Sequence, residues 1–380
     1  MAALALTCCL PYLLAQESVG VSLTPPRERT LTSAPHEGHT FREQAASLRT
    51  GVRDYQVAYK ACVDPAHAPD VAHLEGYIGM PLPTSCNWYH SGFLFLHING
   101  RDIGLTPLST MLLSEQGARG MADLVWHDEV ADVRARFCAL PGQDHLLCEI
   151  AVEPREPVAS VVLKLRCYPS FFTAHHKREG ARRVKTPAAL VEEGEPQTLA
   201  AGENWYALYY DEVFDVARGE GEGPCAVMLS GDPAHEITIS PGGYSVETTI
   251  AYPPETRRVR LALWDFKALS NADALARLET GAATDRAALQ ALDFTPATIA
   301  QFDVAAVRAE LQRALASAEV RELLGDRLRQ AQQWLDKNAA TVQGDAADLG
   351  ITAQEELLQS AAEYRDLMWE IKLAEMVAEL

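Results

Sequence analysis

The sequence predicts a mainly β protein, in which an antiparallel β-sandwich at residues 45–267 is followed by a C-terminal helical region at residues 268–380. Short segments that alternate between apolar and polar residues recur in the first region, and turn-forming residues separate them. In the second region the apolar residues recur at helical spacing instead. Strands joined by tight turns pair antiparallel, and sheets with one apolar face stack as a sandwich.

The composition is that of a globular protein rather than a disordered or nucleic-acid-binding one. Of the 380 residues, 48% are hydrophobic and 22% are charged, and the formal net charge is -19. A chain of this length and apolar content can bury a large core. Binding to nucleic acid needs clustered Lys and Arg to neutralise phosphates, so nucleic acid is not an expected partner.

The N-terminal segment has the pattern of an export signal. Residues 1–15 form an apolar run that ends in Leu14-Ala15, as the core and cleavage end of a signal peptide do, although no basic residue precedes the run. The alternative is an apolar segment packed on the fold. We expect a signal peptide, a periplasmic or secreted location, a linker at residues 16–44, and no transmembrane segment in the chain.

The strand region contains a specific hairpin signal. Asn99-Gly100 follows an apolar run, and this dipeptide supplies positive φ at both centres of a type I′ turn. Residues 130–140 place alanine, valine and phenylalanine on one face and Asp132, Arg134 and Arg136 on the other, which predicts one buried face and one face in water. Further strands are predicted at 146–152, 158–166, 236–240, 244–252 and 259–264.

The cysteines allow two interpretations. Cys138 and Cys148 are equidistant from Gln143, so a turn centred there would place them opposite each other within disulfide range. Two buried thiols are the alternative. Neither a close C-x-x-C spacing nor a nucleotide-binding motif occurs, so no metal and no cofactor are expected.

Several capping signals mark the helices. Ser270 can cap a helix over 271–278, Thr295-Pro296 predicts a second start, and Asp303 opens a long segment rich in Ala and Leu. A last helix is predicted over 354–380. These helices form either a small domain or a layer against the sandwich, and their apolar stripes favour core packing over partner binding.

Three aromatic groups and one basic segment are candidate ligand sites. Exposed Trp and Tyr rings suit the faces of sugars, and neighbouring polar side chains can orient hydroxyls. Between His175 and Lys185, Arg side chains could bind sulfate, phosphate or carboxylate. Buried aromatics and a solvated loop are the alternatives. The candidate ligand-binding residues are Trp88, His90, Trp126, His175, Arg178, Arg182, Arg183 and Trp205.

Catalysis would require an acid and a base that face one cleft. His176, Tyr210 and Asp211 are the candidate catalytic residues. Adjacent residues on a strand point to opposite faces, so at most one member of each Asp-Glu pair could enter a given cleft.

These features predict an exported sandwich protein that binds carbohydrate, including anionic glycans or another small anionic ligand, without catalysis. One alternative is a carbohydrate-active enzyme of epimerase or polysaccharide-lyase type. Another is an envelope scaffold whose C-terminal helices bind a protein partner. The predicted architecture is similar to the sandwich domains of carbohydrate-active proteins, including the mutarotase-like supersandwich. The similarity is one of architecture alone, and fold does not fix function.

Overall fold

The computed structural model describes residues 19–32, 37–63, 76–169, 181–212, 222–231, 234–242, 245–338 and 348–378. Within them, two antiparallel sheets stack as a sandwich and helices follow, which confirms the predicted fold class. The helices are α1 (Asn271–Ala291), α2 (Ala297–Ala300), α3 (Val304–Ala316), α4 (Ala318–Asn338) and α5 (Ile351–Ala378).

One sheet has ten strands and the other has nine. The ten-stranded sheet contains β1 (Gly20–Thr30), β2 (Thr40–Arg49), β3 (Asp54–Cys62), β4 (Tyr77–Leu82), β5 (Leu94–Ile98), β6 (Arg101–Asp102), β11 (Val161–Cys167), β14 (Gln197–Ala200), β17 (Glu236–Pro241) and β18 (Val246–Tyr252). The nine-stranded sheet contains β7 (Leu108–Glu115), β8 (Gly120–His127), β9 (Ala131–Ala139), β10 (His145–Pro154), β12 (Arg182–Lys185), β13 (Leu190–Glu192), β15 (Tyr206–Asp211), β16 (Cys225–Leu229) and β19 (Arg258–Asp265).

The strand order places β1 and β7 at edges of their sheets. The ten-stranded sheet runs β1-β2-β3-β4-β5-β11-β18-β17-β14, with β6 paired to β5, and the nine-stranded sheet runs β13-β12-β15-β16-β19-β10-β9-β8-β7. Apolar side chains from the inner faces of both sheets form the main core. The hairpin at Asn99-Gly100 is confirmed, since both residues have positive φ (53° and 79°) between β5 and β6.

The N-terminal part of the predicted linker is instead an edge strand. Strand β1 pairs with β2 over most of its length, and Val21 and Leu23 pack against the core. The proline content that suggested a linker is accommodated by a register shift between Thr24 and Arg27, where Pro25 and Pro26 lie. An edge strand tolerates proline at such a bulge because no ladder hydrogen bond is lost there.

The helices form both a layer and a small bundle. Helix α1 packs on apolar residues of the outer face of the nine-stranded sheet, and Ser270 caps the helix as predicted. Helices α2 to α5 have a core of their own. At Pro296 the prediction was off by one position, because this residue is the N-cap of α2.

The prediction of a wet face on β9 was wrong. Asp132, Arg134 and Arg136 are all buried, because the helical region covers this face of the sheet. Arg136 donates to both carboxylate oxygens of Asp123 at 2.7 and 2.6 Å, and it also donates to the Phe294 carbonyl at 2.8 Å. The polar stripe of the strand is therefore an ion-paired layer between the sheet and the helices.

The prediction that Cys138 and Cys148 lie opposite each other was also wrong. In the β9–β10 ladder, Cys138 pairs with Leu147 and Cys148 pairs with Phe137. This register differs by one residue from a turn centred on Gln143, and a one-residue shift places the two side chains on opposite faces of the sheet. Cys138 packs under α1, whereas Cys148 packs in the main core.

Candidate functional site

A groove with a volume of about 700 Å³ opens where the two sheets meet at their β1–β3 and β7 sides. On β2, Arg42 and Gln44 share a face with Ala46 and Leu48, which are core residues. Polar side chains thus take inward positions at the end of the sandwich. The lining residues are Pro26, Arg42, Gln44, Tyr59, Ala61, Cys62, Val63, Gly76, Leu105, Pro107, Leu108, Ser109, Thr110 and Met111.

Arg42 provides the cationic side of the groove. Its Nη2 and Nε donate to Glu28 Oε1 at 2.7 and 3.1 Å. Both side chains are more than half exposed, so water screens this ion pair and its net stabilisation is small. Gln44 lies next along the same face and donates across to the Met111 carbonyl of β7 at 3.4 Å.

Hydrogen bonds and close packing hold the floor of the groove. Tyr59 OH lies 3.0 Å from the Gly104 carbonyl and 3.2 Å from the Thr106 carbonyl, and burial raises its pKa to about 12. Its ring meets Trp126 edge to face at 5.9 Å. Gly76 has a φ of +60°, and a Cβ there would lie 1.6 Å from the Gly104 carbonyl oxygen, so only glycine fits.

The β7 wall carries hydroxyl groups that connect to helix α5. Ser109 Oγ donates to Glu355 Oε1 at 3.1 Å, and Gln359 Nε2 donates to Thr110 Oγ1 at 3.4 Å. Both hydroxyls lie on lining residues of the groove. Hydroxyl and amide groups held in this way can exchange hydrogen bonds with a polar ligand.

A histidine continues this chain away from the groove. His127 Nε2 lies 2.8 Å from Glu355 Oε2, and Nδ1 lies 2.6 Å from Asp132 Oδ1. Arg155 Nη2 also binds Asp132, at 2.7 Å. Partial burial lowers the pKa of His127, but the hydrogen bonds to the two carboxylates outweigh it and the net pKa is raised. The His127 ring therefore bridges α5 to the sheet, with both nitrogens engaged.

The predicted tryptophans do not share one surface. Trp88 is 0% exposed and donates to the Trp264 carbonyl at 2.9 Å, and Trp126 is 3% exposed. Neither indole offers an open face to a sugar. Trp205 is partly exposed, but it packs on the α1 side of the nine-stranded sheet, beneath Arg286 at 4.7 Å.

The other predicted residues are dispersed as well. His90 is exposed, with Nδ1 2.9 Å from the Ser85 carbonyl. Asp211 is fully buried, and Tyr210 packs against the core beneath α1. The expectation that Arg182 and Arg183 lie on a surface loop was wrong, because both belong to β12 and Arg182 is 0% exposed. His175, His176 and Arg178 lie outside the described residues.

The groove residues themselves were missed. Their signal is a pair of polar residues, Arg42 and Gln44, at positions of β2 that alternate in phase with core residues. In the part of the chain that the structure describes, no group of three or more His, Cys, Asp or Glu residues could hold a metal ion. Among the described helices, none is long and apolar enough to cross a membrane.

The comparisons with known proteins find distant structural similarity. No family model and no curated protein matches the chain significantly. A proposed aldose 1-epimerase from Klebsiella pneumoniae is similar at 10% identity and a TM-score of 0.37, covering 70% of this chain and 87% of that one. The GH36 α-galactosidase AgaA from Geobacillus stearothermophilus is similar at 12% identity and a TM-score of 0.34, covering 58% of this chain. A chondroitinase AC lyase matches at 10% identity and a TM-score of 0.33, covering 62% of this chain.

These similarities do not assign an activity. This chain covers 40% of the α-galactosidase and 37% of the lyase. All three matched proteins are described as acting on carbohydrates, but unrelated functions occur on one fold. A function for this chain must therefore be argued from its own groove.

Proposed function

We propose that the protein binds carbohydrate in the groove between β1–β3 and β7, without catalysis. The observation that supports this is the composition of a groove of about 700 Å³, in which Gln44, Ser109 and Thr110 stand beside an apolar floor and wall. Sugars present hydroxyls at their edges and C–H groups on their faces, so they need both kinds of surface. A pocket of this size accommodates an oligosaccharide fragment rather than a single small ion.

Arg42 favours an acidic glycan. A guanidinium binds carboxylate and sulfate through two parallel hydrogen bonds. Its present partner, Glu28, is exposed, and an exposed ion pair contributes about 0 to 1 kcal/mol. A ligand carboxylate can therefore replace Glu28 on Arg42 at little cost.

The proton carriers near the groove favour binding over catalysis. Both nitrogens of His127 are engaged by carboxylates, and Tyr59 is hydrogen-bonded with its pKa raised by burial. Tyr59 is therefore not poised to exchange a proton near pH 7, and no nitrogen of His127 is left to face the groove. The epimerase or lyase alternative stays a prediction that rests on His176, Tyr210 and Asp211.

A glycan array with neutral, sulfated and uronic-acid polymers tests the proposal. Binding should be strongest for an acidic polymer, and Arg42→Gln should weaken it about tenfold, which corresponds to the loss of one charged hydrogen-bonded contact. Thr110→Val should weaken binding of neutral and acidic sugars alike. Arg166→Gln is the matched control, because Arg166 forms an ion pair with Glu247 at 2.8 Å on the outer face of the same sheet. Wild-type affinity in both groove variants would refute the assignment.

An exported location is part of the same proposal and is tested separately. The apolar run at residues 1–15 supports it. Cell fractionation should find mature protein that lacks about the first fifteen residues in the periplasm or the medium. Protein with an intact N-terminus in the cytosol would contradict export without affecting the groove.

A further inference from the structure

Three buried cysteines converge on the segment Asn87-Trp88 at one end of the sandwich. Cys86 immediately precedes this segment, and the Trp88 backbone pairs with Cys167 in an isolated β-bridge. Cys225 Sγ donates to the Asn87 carbonyl at 3.7 Å. The three thiols are free in the structure.

Cys167 and Cys225 face each other from different sheets. Cys167 ends β11 of the ten-stranded sheet, and Cys225 begins β16 of the nine-stranded sheet. Both are core residues, with exposed fractions of 1% and 0%. The Asn87 carbonyl that accepts from Cys225 also accepts from the Tyr168 backbone N–H at 3.1 Å, next to Cys167.

The contacts with Asn87 and Trp88 bring the two thiols into the same part of the core. Burial raises the pKa of Cys225 well above its ordinary value, and a hydrogen bond with the Cys167 side chain raises it further. Cys86 affects this pKa only through its charge, without a hydrogen bond, and its sulfur is oriented to Asn87 Oδ1 at 4.0 Å. Among the three cysteines, Cys167 is therefore the better placed partner for Cys225.

We propose that Cys167 and Cys225 form a disulfide that joins the two sheets when the chain folds in the presence of a low-molecular-weight disulfide such as oxidised glutathione. The thiolate of one cysteine attacks oxidised glutathione, which forms a mixed disulfide and releases one glutathione thiolate. The thiolate of the second cysteine then attacks the cysteine sulfur of the mixed disulfide and releases the second glutathione. Two cysteine thiols are oxidised, one glutathione disulfide is reduced, and the two cysteine protons pass to the two released thiolates.

Burial determines when the reaction occurs. Neither thiol is accessible to a reagent in the folded protein, and the raised pKa of Cys225 keeps its reactive thiolate scarce. The bond must form while the sheets assemble. It would close a loop between positions that are 58 residues apart (225 minus 167), and long closed loops constrain the unfolded chain. An inter-sheet disulfide through the core is also the arrangement found in antibody domains.

Refolding of the full chain tests the proposal. After refolding in a glutathione redox buffer, peptide mapping by mass spectrometry should find the Cys167 and Cys225 peptides cross-linked, and the midpoint of thermal unfolding should rise by about 5–10 °C over protein refolded with a reductant. Cys225→Ala and Cys167→Ala should each remove the cross-link. Cys138→Ala should retain it, since Cys138 packs on the outer face of its sheet, under α1.

Peptide mapping of the refolded wild-type protein tests the disulfide even if a single-residue variant does not fold. A cross-link between Cys86 and Cys225, or free thiols at both Cys167 and Cys225 after refolding in the oxidised buffer, would overturn the proposal.

Discussion

Arg182 and Arg183 are adjacent on β12 but lie in opposite environments, so replacing each by Ala should have very different effects. Arg182 is 0% exposed, and its Nη1 donates to the Gly242 carbonyl just after β17 of the other sheet. It lies opposite Asp211 in the β12–β15 ladder. Arg183 is 27% exposed and forms ion pairs with Glu192 and Glu212 at the surface, both at 3.1 Å.

The magnitudes follow from the burial of the partners. Asp211 is 0% exposed. Burial lowers the pKa of Arg182, and the charges of nearby acidic groups, Glu193 and Asp211 among them, act in the opposite direction. Removing a buried charge that compensates a buried neighbour of opposite sign costs about 3–5 kcal/mol, because the remaining charge has lost its compensation. The glutamates that bind Arg183 are each about half exposed or more, so Arg183→Ala should cost less than about 1 kcal/mol.

Urea denaturation at pH 7, followed by tryptophan fluorescence, measures both free energies of unfolding. Arg182→Ala should lower the midpoint strongly and Arg183→Ala only slightly, and adding Asp211→Asn to Arg182→Ala should recover part of the loss. Equal losses for the two single variants would refute the reasoning. If Arg182→Ala were as stable as wild type but lost affinity for acidic glycans, the binding interpretation of the basic segment would be restored.

The other predictions concern buried charges. Because the pKa of His127 is raised in the folded protein, protonated His127 stabilises the fold at pH values below its unfolded pKa of about 6.5, and this stabilisation is lost as pH rises through the folded pKa. The difference in free energy of unfolding between wild type and His127→Gln should therefore shrink above the folded pKa. A difference that does not change with pH would contradict the bridge to Glu355. Burial raises the pKa of Asp265 to about 6. As pH rises from about 4 to 6, the free energy of unfolding of wild type should therefore fall by on the order of 3 kcal/mol relative to that of Asp265→Asn, as measured by urea titrations. Arg136→Met should lower the free energy of unfolding by about 3–5 kcal/mol, and the double variant Arg136→Met with Asp123→Leu should lower it much less. Equal losses would show that the two side chains are not coupled.

The strands could be predicted because their signals are local. The Asn99-Gly100 turn and the alternation at residues 130–140 depend on side chains within a few positions of each other. Register is not local in this sense. The β9–β10 turn differs from the expected one by a single residue, which separated Cys138 from Cys148, and composition alone could not fix that residue.

Exposure could not be predicted from the sequence either. Trp88 and Trp126 have the polar neighbours expected of a sugar platform, yet both rings are buried. Whether an aromatic residue of a strand faces water depends on which sheet or helix covers that face, and the covering element comes from a distant part of the chain. The same is true of Arg182, whose carbonyl partner Gly242 is 60 residues away.

The polar face of a strand can therefore have three environments that the sequence does not distinguish. It can be exposed to water, be covered by another layer of the fold, or line a groove. Arg136 represents the second environment, because Asp123 and the Phe294 carbonyl occupy its guanidinium and both charged side chains are buried. Arg42 represents the third environment. Its partner Glu28 is exposed, and the residue lines a groove of about 700 Å³. A sealed arginine has its hydrogen bonds committed to the fold, whereas an exposed pair beside open space can exchange its carboxylate for that of a ligand. That contrast, rather than the density of basic or aromatic residues, is the reason to propose a binding site at Arg42.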